Sequence, residues 1–186
     1  MTLIEVRWHG RGGQGVVTAS ELLANAAIFE GKYAQHFPEF GPERAGAPVR
    51  AYTRISDEPI ELHTGIYEPD IVVVIDPTLL VNMDILLSGL KRGGVFVINI
   101  SEPPSELKER CKELGAKLYY VDATKIALEI FKRPFFNTPM LGALLKATGI
   151  VKLESVHEAV KRRFKPEIAE LNIKAISRAF EEVRSA

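Results

Sequence analysis

A glycine-rich turn near the amino terminus constrains the fold of this chain more than any other feature. A predicted strand at residues 3–9 leads into the turn, and residues 15–30 follow it as a predicted helix. The six residues of the turn are Gly10, Arg11, Gly12, Gly13, Gln14 and Gly15. The glycines at its first, third and sixth positions match the G-x-G-x-x-G spacing of a strand–turn–helix unit. The chain is therefore expected to build an α/β sheet that starts from this unit.

The same turn predicts a seat for an anion. Glycine adopts positive φ without penalty and has no Cβ to hold a ligand away from the backbone. The helix that follows directs unpaired N–H groups, and the positive end of its dipole, at the turn. We therefore predict that residues 10–15 bind the anionic part of a cofactor, with the Arg11 guanidinium and the Gln14 amide as further donors. The alternative is a tight turn that only packs helix against strand, with Gln14 capping it locally and Arg11 in solvent.

The rest of the chain alternates predicted strands with predicted helices. Further strands are predicted at 33–37, 49–55, 60–63, 70–76, 95–100 and 117–121. Helices are predicted at 79–90, 103–114, 123–132, 138–148, 153–164 and 166–184. Residues 71–75 are apolar throughout, which is typical of a strand covered on both faces in a parallel sheet. The expected fold is a three-layer, Rossmann-like, mostly parallel sheet with a helical C-terminal part. It should form one domain over residues 1–186. Residues 49–55 and 60–63 are expected to form a β-hairpin insertion.

Composition excludes several classes of function. The 186 residues carry 24 basic and 24 acidic side chains, which gives no reason to expect a nucleic acid or a membrane surface as partner. The single cysteine, Cys111, excludes an intrachain disulfide and a four-thiolate iron–sulfur cluster held by this chain alone, and it favours the cytoplasm. The longest apolar run, 71–75, is too short to span a bilayer. The four histidines show no metal-ligand spacing, so no bound metal is expected.

A proline-rich loop at residues 38–48 interrupts the regular pattern. It holds three prolines and two glycines, and a loop of this length in a compact domain is usually functional or disordered. We predict an interface with another subunit at Phe37, Phe40, Glu43 and Arg44. Proline stiffens the loop and lowers the entropy lost on docking. For the two charged residues the alternative is a surface ion pair, which contributes about 0–1 kcal/mol.

Four more residues have both a functional and a structural interpretation. Asp76 follows a buried strand, where α/β sheets place ligand crevices, although capping the next helix is the favoured interpretation. Asn137 presents the same choice, and Thr138, before Pro139, is predicted as an N-cap. His9, beside the turn, is expected to be packed and hydrogen-bonded. No nucleophile–base pair is visible, so no catalytic residue is predicted.

Three segments, in this order, resemble the gamma subunits of 2-oxoacid:ferredoxin oxidoreductases, and within that family the pyruvate:ferredoxin type. They are the turn at 10–15, the stretch 37–48 with its Glu-Arg-x-Gly-Ala-Pro sequence, and the Glu-Pro-Asp sequence at 68–70 that opens the strand 70–76. The resemblance covers essentially the whole chain. A glycine-rich turn alone would be weak evidence, whereas the three segments together are specific.

The resemblance implies a role inside a larger enzyme. Enzymes of this family cleave pyruvate oxidatively on thiamine diphosphate with Mg²⁺, pass electrons through [4Fe-4S] clusters to ferredoxin, and release acetyl-coenzyme A. The implied partners are alpha, beta and delta type subunits, which would hold the thiamine and the clusters. This chain has no Gly-Asp-Gly motif of thiamine enzymes and too few cysteines for a cluster. Its implied contribution is structural or part of the coenzyme A site, and the isolated chain should be inactive.

Other functions stay open at this point. A stand-alone NAD(P)-dependent dehydrogenase would carry an acidic residue about 20 positions after the turn, at the end of the second strand. The predicted strand 33–37 ends without one. A nucleotide-responsive regulatory module is a further alternative. Within the family, the substrate could also be a branched-chain 2-oxoacid or 2-oxoglutarate.

Overall fold

The computed structural model describes residues 3–39 and 45–186 of the chain. Within these residues the strands are β1 (Leu3–Arg11), β2 (Tyr33–Pro38), β3 (Pro48–Ser56), β4 (Ile71–Val74), β5 (Val95–Asn99), β6 (Lys117–Val121) and β7 (Arg184–Ser185). The α-helices are α1 (Val16–Phe29), α2 (Met83–Leu87), α3 (Ser105–Leu114), α4 (Ala123–Phe131), α5 (Asn137–Thr148), α6 (Leu153–Arg163) and α7 (Pro166–Glu182). A 3₁₀ helix, Pro77–Asn82, precedes α2.

All seven of these strands join one sheet, in the order β2-β3-β1-β4-β5-β6-β7. The strands β1, β4, β5 and β6 run parallel to one another. β4 is buried along its whole length, as its uninterrupted apolar sequence predicts. β3 runs antiparallel between β1 and β2, and β7 pairs antiparallel with β6. The sheet therefore has a parallel centre and antiparallel margins.

Helices cover the sheet on both faces, which confirms the predicted three-layer α/β fold. On one face, side chains such as Trp8, Val73 and Val97 belong to a core shared with α1, α5, α6 and α7. On the other face, Val74 and Phe96 pack with residues of the 3₁₀ helix, α2 and α3. β4, and β5 from Val95 to Ile98, carry apolar residues on both sides because both sides are covered by helices.

The predicted pairing of 49–55 with 60–63 was wrong. Residues 60–63 are not in a strand, and β3 instead pairs with β1 over nine residues and with β2 over six. Every residue of β3 from Ala51 to Ser56 is buried, so β3 needs a neighbour on both edges, whereas residues 61–63 are exposed. The β-hairpin of this fold is therefore β2–β3, and the proline-rich loop connects its two strands.

Two predicted helices also differ from the structure. The helix expected at 79–90 is divided into the 3₁₀ helix and the five-residue α2. The Arg7 side chain donates hydrogen bonds to the carbonyls of Leu86 and Ser88, so the carbonyls at the end of α2 have a donor without a further helical turn. The last helix ends at Glu182 rather than 184, because Arg184 and Ser185 leave it to form β7.

Candidate functional site

The glycines of the turn have two different structural roles. A Cβ on Gly10 would lie 2.5 Å from Cγ2 of Val16, and one on Gly15 would lie 2.8 Å from Cγ of Asn137. Gly15 is also the N-cap of α1, with φ of 73°. Gly13, with φ of 89°, has nothing within 4 Å of the position of its missing Cβ. The first and last glycines are therefore required by close packing or by the backbone, while the space beside Gly13 is open.

The side chains of the turn connect it to the end of β4. Gln14 accepts a hydrogen bond from the Arg11 N–H (2.7 Å) and donates one to Oδ2 of Asp76 (2.5 Å). Nε of Arg11 lies 3.4 Å from the same carboxylate oxygen, and the guanidinium also donates to Oγ1 of Thr78 and to the carbonyl of Gly46. Gln14 thus caps the turn locally. Arg11 remains 31% exposed, so part of its guanidinium can still reach a ligand.

Asp76 caps the 3₁₀ helix, which confirms the structural interpretation of this residue. Its Oδ1 accepts from the N–H (2.9 Å) and the hydroxyl (2.7 Å) of Thr78. Burial raises the pKa of the Asp76 carboxyl, but the hydrogen bonds from Thr78 and Gln14 and the charge of Arg11 outweigh burial and leave the pKa below its usual value. The negative charge at this edge is therefore already balanced by the chain's own donors.

The first turn of α1 presents backbone N–H groups to an open recess. The N-cap makes no side-chain capping bond, and in the described ranges nothing accepts a hydrogen bond from the N–H groups of Val16, Val17 or Thr18. These residues line a recess of about 380 Å³ together with Gly13 and Arg11. Unpaired amides and the helix dipole make such a position favourable for a negatively charged group.

Asn137 and Thr138 hold the helical half of the protein against the turn. Nδ2 of Asn137 donates to the carbonyl of Gly15 (3.2 Å), so this residue braces the start of α1. The prediction that Thr138 is an N-cap was wrong, because α5 begins at Asn137 and its cap position is Phe136. Thr138 instead lies inside the helix, where its buried hydroxyl donates to Oδ1 of Asn172 on α7 (2.7 Å).

His9 is packed and hydrogen-bonded, as expected. Nε of Arg7 donates to Nε2 of His9 (2.9 Å), and the imidazole is only 3% exposed. Burial, followed by the charges of Arg7 and Arg50, lowers the pKa of His9 to about 3. The imidazole is therefore a neutral acceptor at physiological pH.

The proline-rich loop is only partly described. Of the four predicted interface residues, Phe40, Glu43 and Arg44 lie outside the described residues. Phe37 is half-buried, with its ring centroid 5.1 Å from that of Tyr52. The end of the loop joins the glycine-rich turn, because the Gly12 N–H donates to the carbonyl of Ala47 (2.9 Å) and the Gly46 N–H donates to that of Gly12 (3.2 Å). The glycine-rich turn and residues 46–47 at the end of the loop therefore lie side by side at one edge of the sheet.

Sequence reasoning missed a polar group at this edge. Nε of Arg50 lies 2.7 Å from Oε2 of Glu39, and the Tyr52 hydroxyl donates a short hydrogen bond to the same carboxylate. Burial and this bond to Glu39 raise the pKa of Tyr52 to about 12. A signal was present, because Arg50, Tyr52 and Arg54 alternate along one face of the predicted strand 49–55.

The position of β3 argues against a dinucleotide site. In a dinucleotide-binding fold the second strand lies parallel to the first, and an acidic residue at its end binds the ribose. Here the neighbour of β1 on that side is the antiparallel β3, and β2 lies one strand further out. The ribose position beside the glycine-rich turn is not formed, so the stand-alone dehydrogenase is not favoured.

Comparison with known proteins decides the family. Residues 5–182 match the family model described as pyruvate ferredoxin/flavodoxin oxidoreductase. The chain belongs to this family. It is 56% identical over 179 residues to the pyruvate/ketoisovalerate oxidoreductases common subunit gamma of Thermococcus litoralis, with 96% of each chain covered. It is 48% identical over 181 residues to the pyruvate synthase subunit PorC of Methanocaldococcus jannaschii, with 97% of each covered.

A solved structure agrees with this assignment over the full length. The crystal structure of pyruvate oxidoreductase subunit PORC from Thermotoga maritima superposes with a TM-score of 0.88 at 42% identity, covering 100% of this chain and 99% of that one. This member of the pyruvate ferredoxin/flavodoxin oxidoreductase family is thus a gamma subunit of the pyruvate synthase and 2-oxoacid:ferredoxin oxidoreductase class, as the sequence resemblance implied.

The described residues of this oxidoreductase subunit contain neither a membrane-spanning helix nor a cluster of metal ligands. No helix in the described part of the chain is long and apolar enough to cross a membrane. Across residues 3–39 and 45–186, no group of three or more His, Cys, Asp or Glu side chains is placed to hold a metal ion. Cys111 is a buried free thiol, and burial raises its pKa to about 11.

Proposed function

We propose that this gamma subunit, acting as one domain, supplies the phosphate-binding part of the coenzyme A site to a pyruvate:ferredoxin oxidoreductase. In this proposal, alpha, beta and delta type subunits hold thiamine diphosphate, Mg²⁺ and [4Fe-4S] clusters and deliver electrons to ferredoxin. The observation that carries the proposal is the set of amides at the start of α1 that have no acceptor among the described residues and that border the recess beside Gly13. Because Cys111 is a single free thiol, we place the enzyme in the reducing cytoplasm.

The recess suits a phosphate ester by charge and by shape. The N–H groups of Val16, Val17 and Thr18 point out of the helix start, and the exposed part of Arg11 adds a guanidinium at the rim. Gly13 leaves room for a ligand to approach the backbone. Two described carboxylates lie nearby, and both are paired: Asp76 is bound by Arg11, Thr78 and Gln14, and Glu39, which lines the recess, is bound by Arg50. Neither is therefore an unpaired charge that opposes an incoming anion.

Within the enzyme, this chain would bind and orient rather than react. Coenzyme A, when bound, supplies the thiol that accepts the acetyl group. The amides of α1 would fix the phosphate end of the cofactor, and Asn137 would hold α1 in place through the Gly15 carbonyl. Preorganised donors of this kind lower the entropy lost on binding. The residues of this chain therefore set the affinity for the cofactor, and other subunits carry the chemistry.

The first test places a charge at the start of α1. Val17 is 39% exposed in the first turn, so Val17→Glu adds a carboxylate that favours the helix but repels a phosphate. In the assembled enzyme, the KM for coenzyme A should rise roughly tenfold, equivalent to about 1.4 kcal/mol, with the KM for pyruvate unchanged. Val17→Gln is the matched neutral control. Equal KM values for the Glu and Gln variants would contradict the assignment of this site.

The second test concerns the assembly. A tagged version of the chain, isolated from its native cell extract, should bring down chains that contain thiamine diphosphate and iron–sulfur clusters. The isolated chain should show no oxidation of pyruvate. A panel of pyruvate, branched-chain 2-oxoacids and 2-oxoglutarate, given to the captured assembly, should show the highest kcat/KM with pyruvate. Capture of no cofactor-bearing chain would refute the proposed role.

A further inference from the structure

Two buried arginines lie on the face of β1 and β3 that is opposite the large core. The antiparallel register places Glu5 across from Arg54, and Arg7 across from Tyr52. Arg54 is 1% exposed and donates to Oε1 of Glu5 (2.9 Å), so its charge has a carboxylate partner. Arg7 is 3% exposed, and among the described residues no carboxylate lies within 4.0 Å of it. The pair is an internal comparison, because among the described residues Arg54 has a carboxylate within hydrogen-bond distance and Arg7 does not.

Arg7 is held in place by neutral acceptors only. Its Nε donates to Nε2 of His9, and its Nη2 donates to the carbonyls of Leu86 (3.1 Å) and Ser88 (2.6 Å). Burial, followed by the charge of Arg50, lowers the pKa of the Arg7 guanidinium. A charge removed from water is costly unless it is paired and hydrogen-bonded. The guanidinium of Arg7 is therefore held in one orientation, in which it could bind an anion that another molecule supplies.

Arg7 has one nitrogen available and borders a recess in the surface. Nη1 makes no hydrogen bond to any described residue, so it is the nitrogen of Arg7 that can donate to a further acceptor. The Arg7 side chain lines a recess of about 600 Å³. We call this the Arg7 recess and define it by its principal lining residues, Arg7, Phe37, Arg50, Tyr52, Tyr67 and Ile85.

Two large hydrophobic side chains at the rim of the Arg7 recess are exposed. Tyr67 is 77% exposed and Ile85 is 55% exposed, although both are large hydrophobic side chains. The carboxylates at the recess are already paired, Glu39 with Arg50 and Asp84 with Arg110. A small anion could reach the arginine, but it would leave Tyr67 and Ile85 in water. An aromatic and aliphatic rim around a buried arginine is the pattern of an interface hot spot.

We propose that the Arg7 recess receives an aspartate or glutamate side chain from another subunit of the oxidoreductase, with apolar residues of that subunit packed on Tyr67 and Ile85. The inference rests on the proposed function, because it needs the multi-subunit assembly. It concerns a different recess from the one at the start of α1: Arg7 and Tyr67 do not line the recess beside Gly13, although Pro38, Glu39 and Arg50 line both. The inserted carboxylate would pair with Arg7 as the carboxylate of Glu5 pairs with Arg54.

The first experiment removes the rim and leaves the buried charge intact. Tyr67→Ser and Ile85→Ser change exposed side chains, so both variants should fold. In the complete enzyme, captured through a tag on another subunit, each should weaken retention of this chain roughly thirtyfold in Kd, the size of an interface hot spot. Ile168→Ser, at a side chain 48% exposed on α7, is the matched control and should be retained like the unaltered chain. Full retention of both rim variants overturns the inference.

The second experiment identifies the occupant. Arg7→Lys replaces the guanidinium with an amine, which a carbodiimide joins only to a carboxylate in direct contact. In the complete enzyme, the expected product is a covalent link between position 7 and an aspartate or glutamate of another subunit, found by peptide mass spectrometry. A link to a carboxylate of this same chain, or no link in an enzyme that still assembles, overturns the inference.

The two proposals fail in different ways. If the unaltered chain captures no cofactor-bearing subunits, the proposed function fails, and the rim variants are not needed to show it. If the unaltered chain assembles and the rim variants assemble equally well, only the Arg7 recess is refuted. Val17→Glu should leave retention unchanged, because the start of α1 does not line the Arg7 recess.

Discussion

The buried imidazole of His9 should make the stability of this protein depend on pH. Its pKa is about 3 in the folded chain, against 6.5 for an ordinary histidine. In the unfolded chain His9 therefore binds a proton as the pH falls through 6.5, whereas in the folded chain it binds one only near pH 3. The stability linked to His9 is fully present above pH 6.5 and is lost progressively as the pH falls below that value.

The size of the effect follows from the difference between the two pKa values. Below pH 6.5, each pH unit lowers the free energy of unfolding by about 1.36 kcal/mol, so lowering the pH from 7 to 5 costs about 2 kcal/mol. His9→Gln keeps an oxygen that can accept the hydrogen bond of Arg7, but it removes the titrating group. The variant should therefore lose about 2 kcal/mol less than the unaltered chain between pH 7 and pH 5.

The measurement is urea unfolding of the purified chain, followed by circular dichroism at a series of pH values from 7 to 5. Other titrating groups, including His157, are common to both proteins, so the difference between the two curves isolates His9. His36→Gln is the control, because His36 is an exposed imidazole on β2 and stays in contact with water when the chain folds. Parallel stability curves for the His9 variant and the unaltered chain would refute the reasoning.

Three further predictions concern packing and reactivity. Gly10→Ala should destabilise the fold by about 1–3 kcal/mol, because its Cβ would press β1 away from α1; Gly65→Ala, with its nearest contact at 3.7 Å, should be nearly neutral, and chemical denaturation distinguishes them. Thr138→Val should cost about 1–3 kcal/mol in the same assay by leaving the Asn172 amide oxygen without its donor. Cys111 should not react with a disulfide reagent at pH 8 until the chain unfolds, since its thiol is buried with a pKa of about 11; rapid labelling of the folded protein would contradict this.

The buried strands at the centre of the sheet could be predicted because an uninterrupted apolar sequence is typical of a strand covered on both faces. The residues of β4, and those of β5 from Val95 to Ile98, are apolar in succession, which is typical of a strand covered on both faces. The pairing of β3 could not be predicted in this way. Its alternating residues fit either a hairpin with 60–63 or a place between β1 and β2, and the choice depends on contacts between residues up to 53 positions apart.

The glycine-rich turn was found from its spacing, but the use of its side chains was not. Whether Gln14 faces a ligand or Asp76 depends on the end of β4, which is 62 residues away in sequence. The Arg7 recess left even less signal. Arg7 alternates with apolar residues along β1, as Glu5 and His9 do, and it looks like an ordinary polar position until the register shows which face it occupies and which acceptors it contacts.

The antiparallel strand beside β1 has a consequence for protein engineering. A designer who wished to turn this scaffold into a nicotinamide-dependent catalyst could install every side chain that such catalysts use and still fail. The obstacle is the path of the main chain. The antiparallel strand β3 occupies the position beside β1 where a dinucleotide-binding fold has a parallel strand that contacts the adenosine. Point mutations cannot reverse the direction of a strand. The change would require a new backbone path for the residues that follow β1 and precede β4 in the sequence.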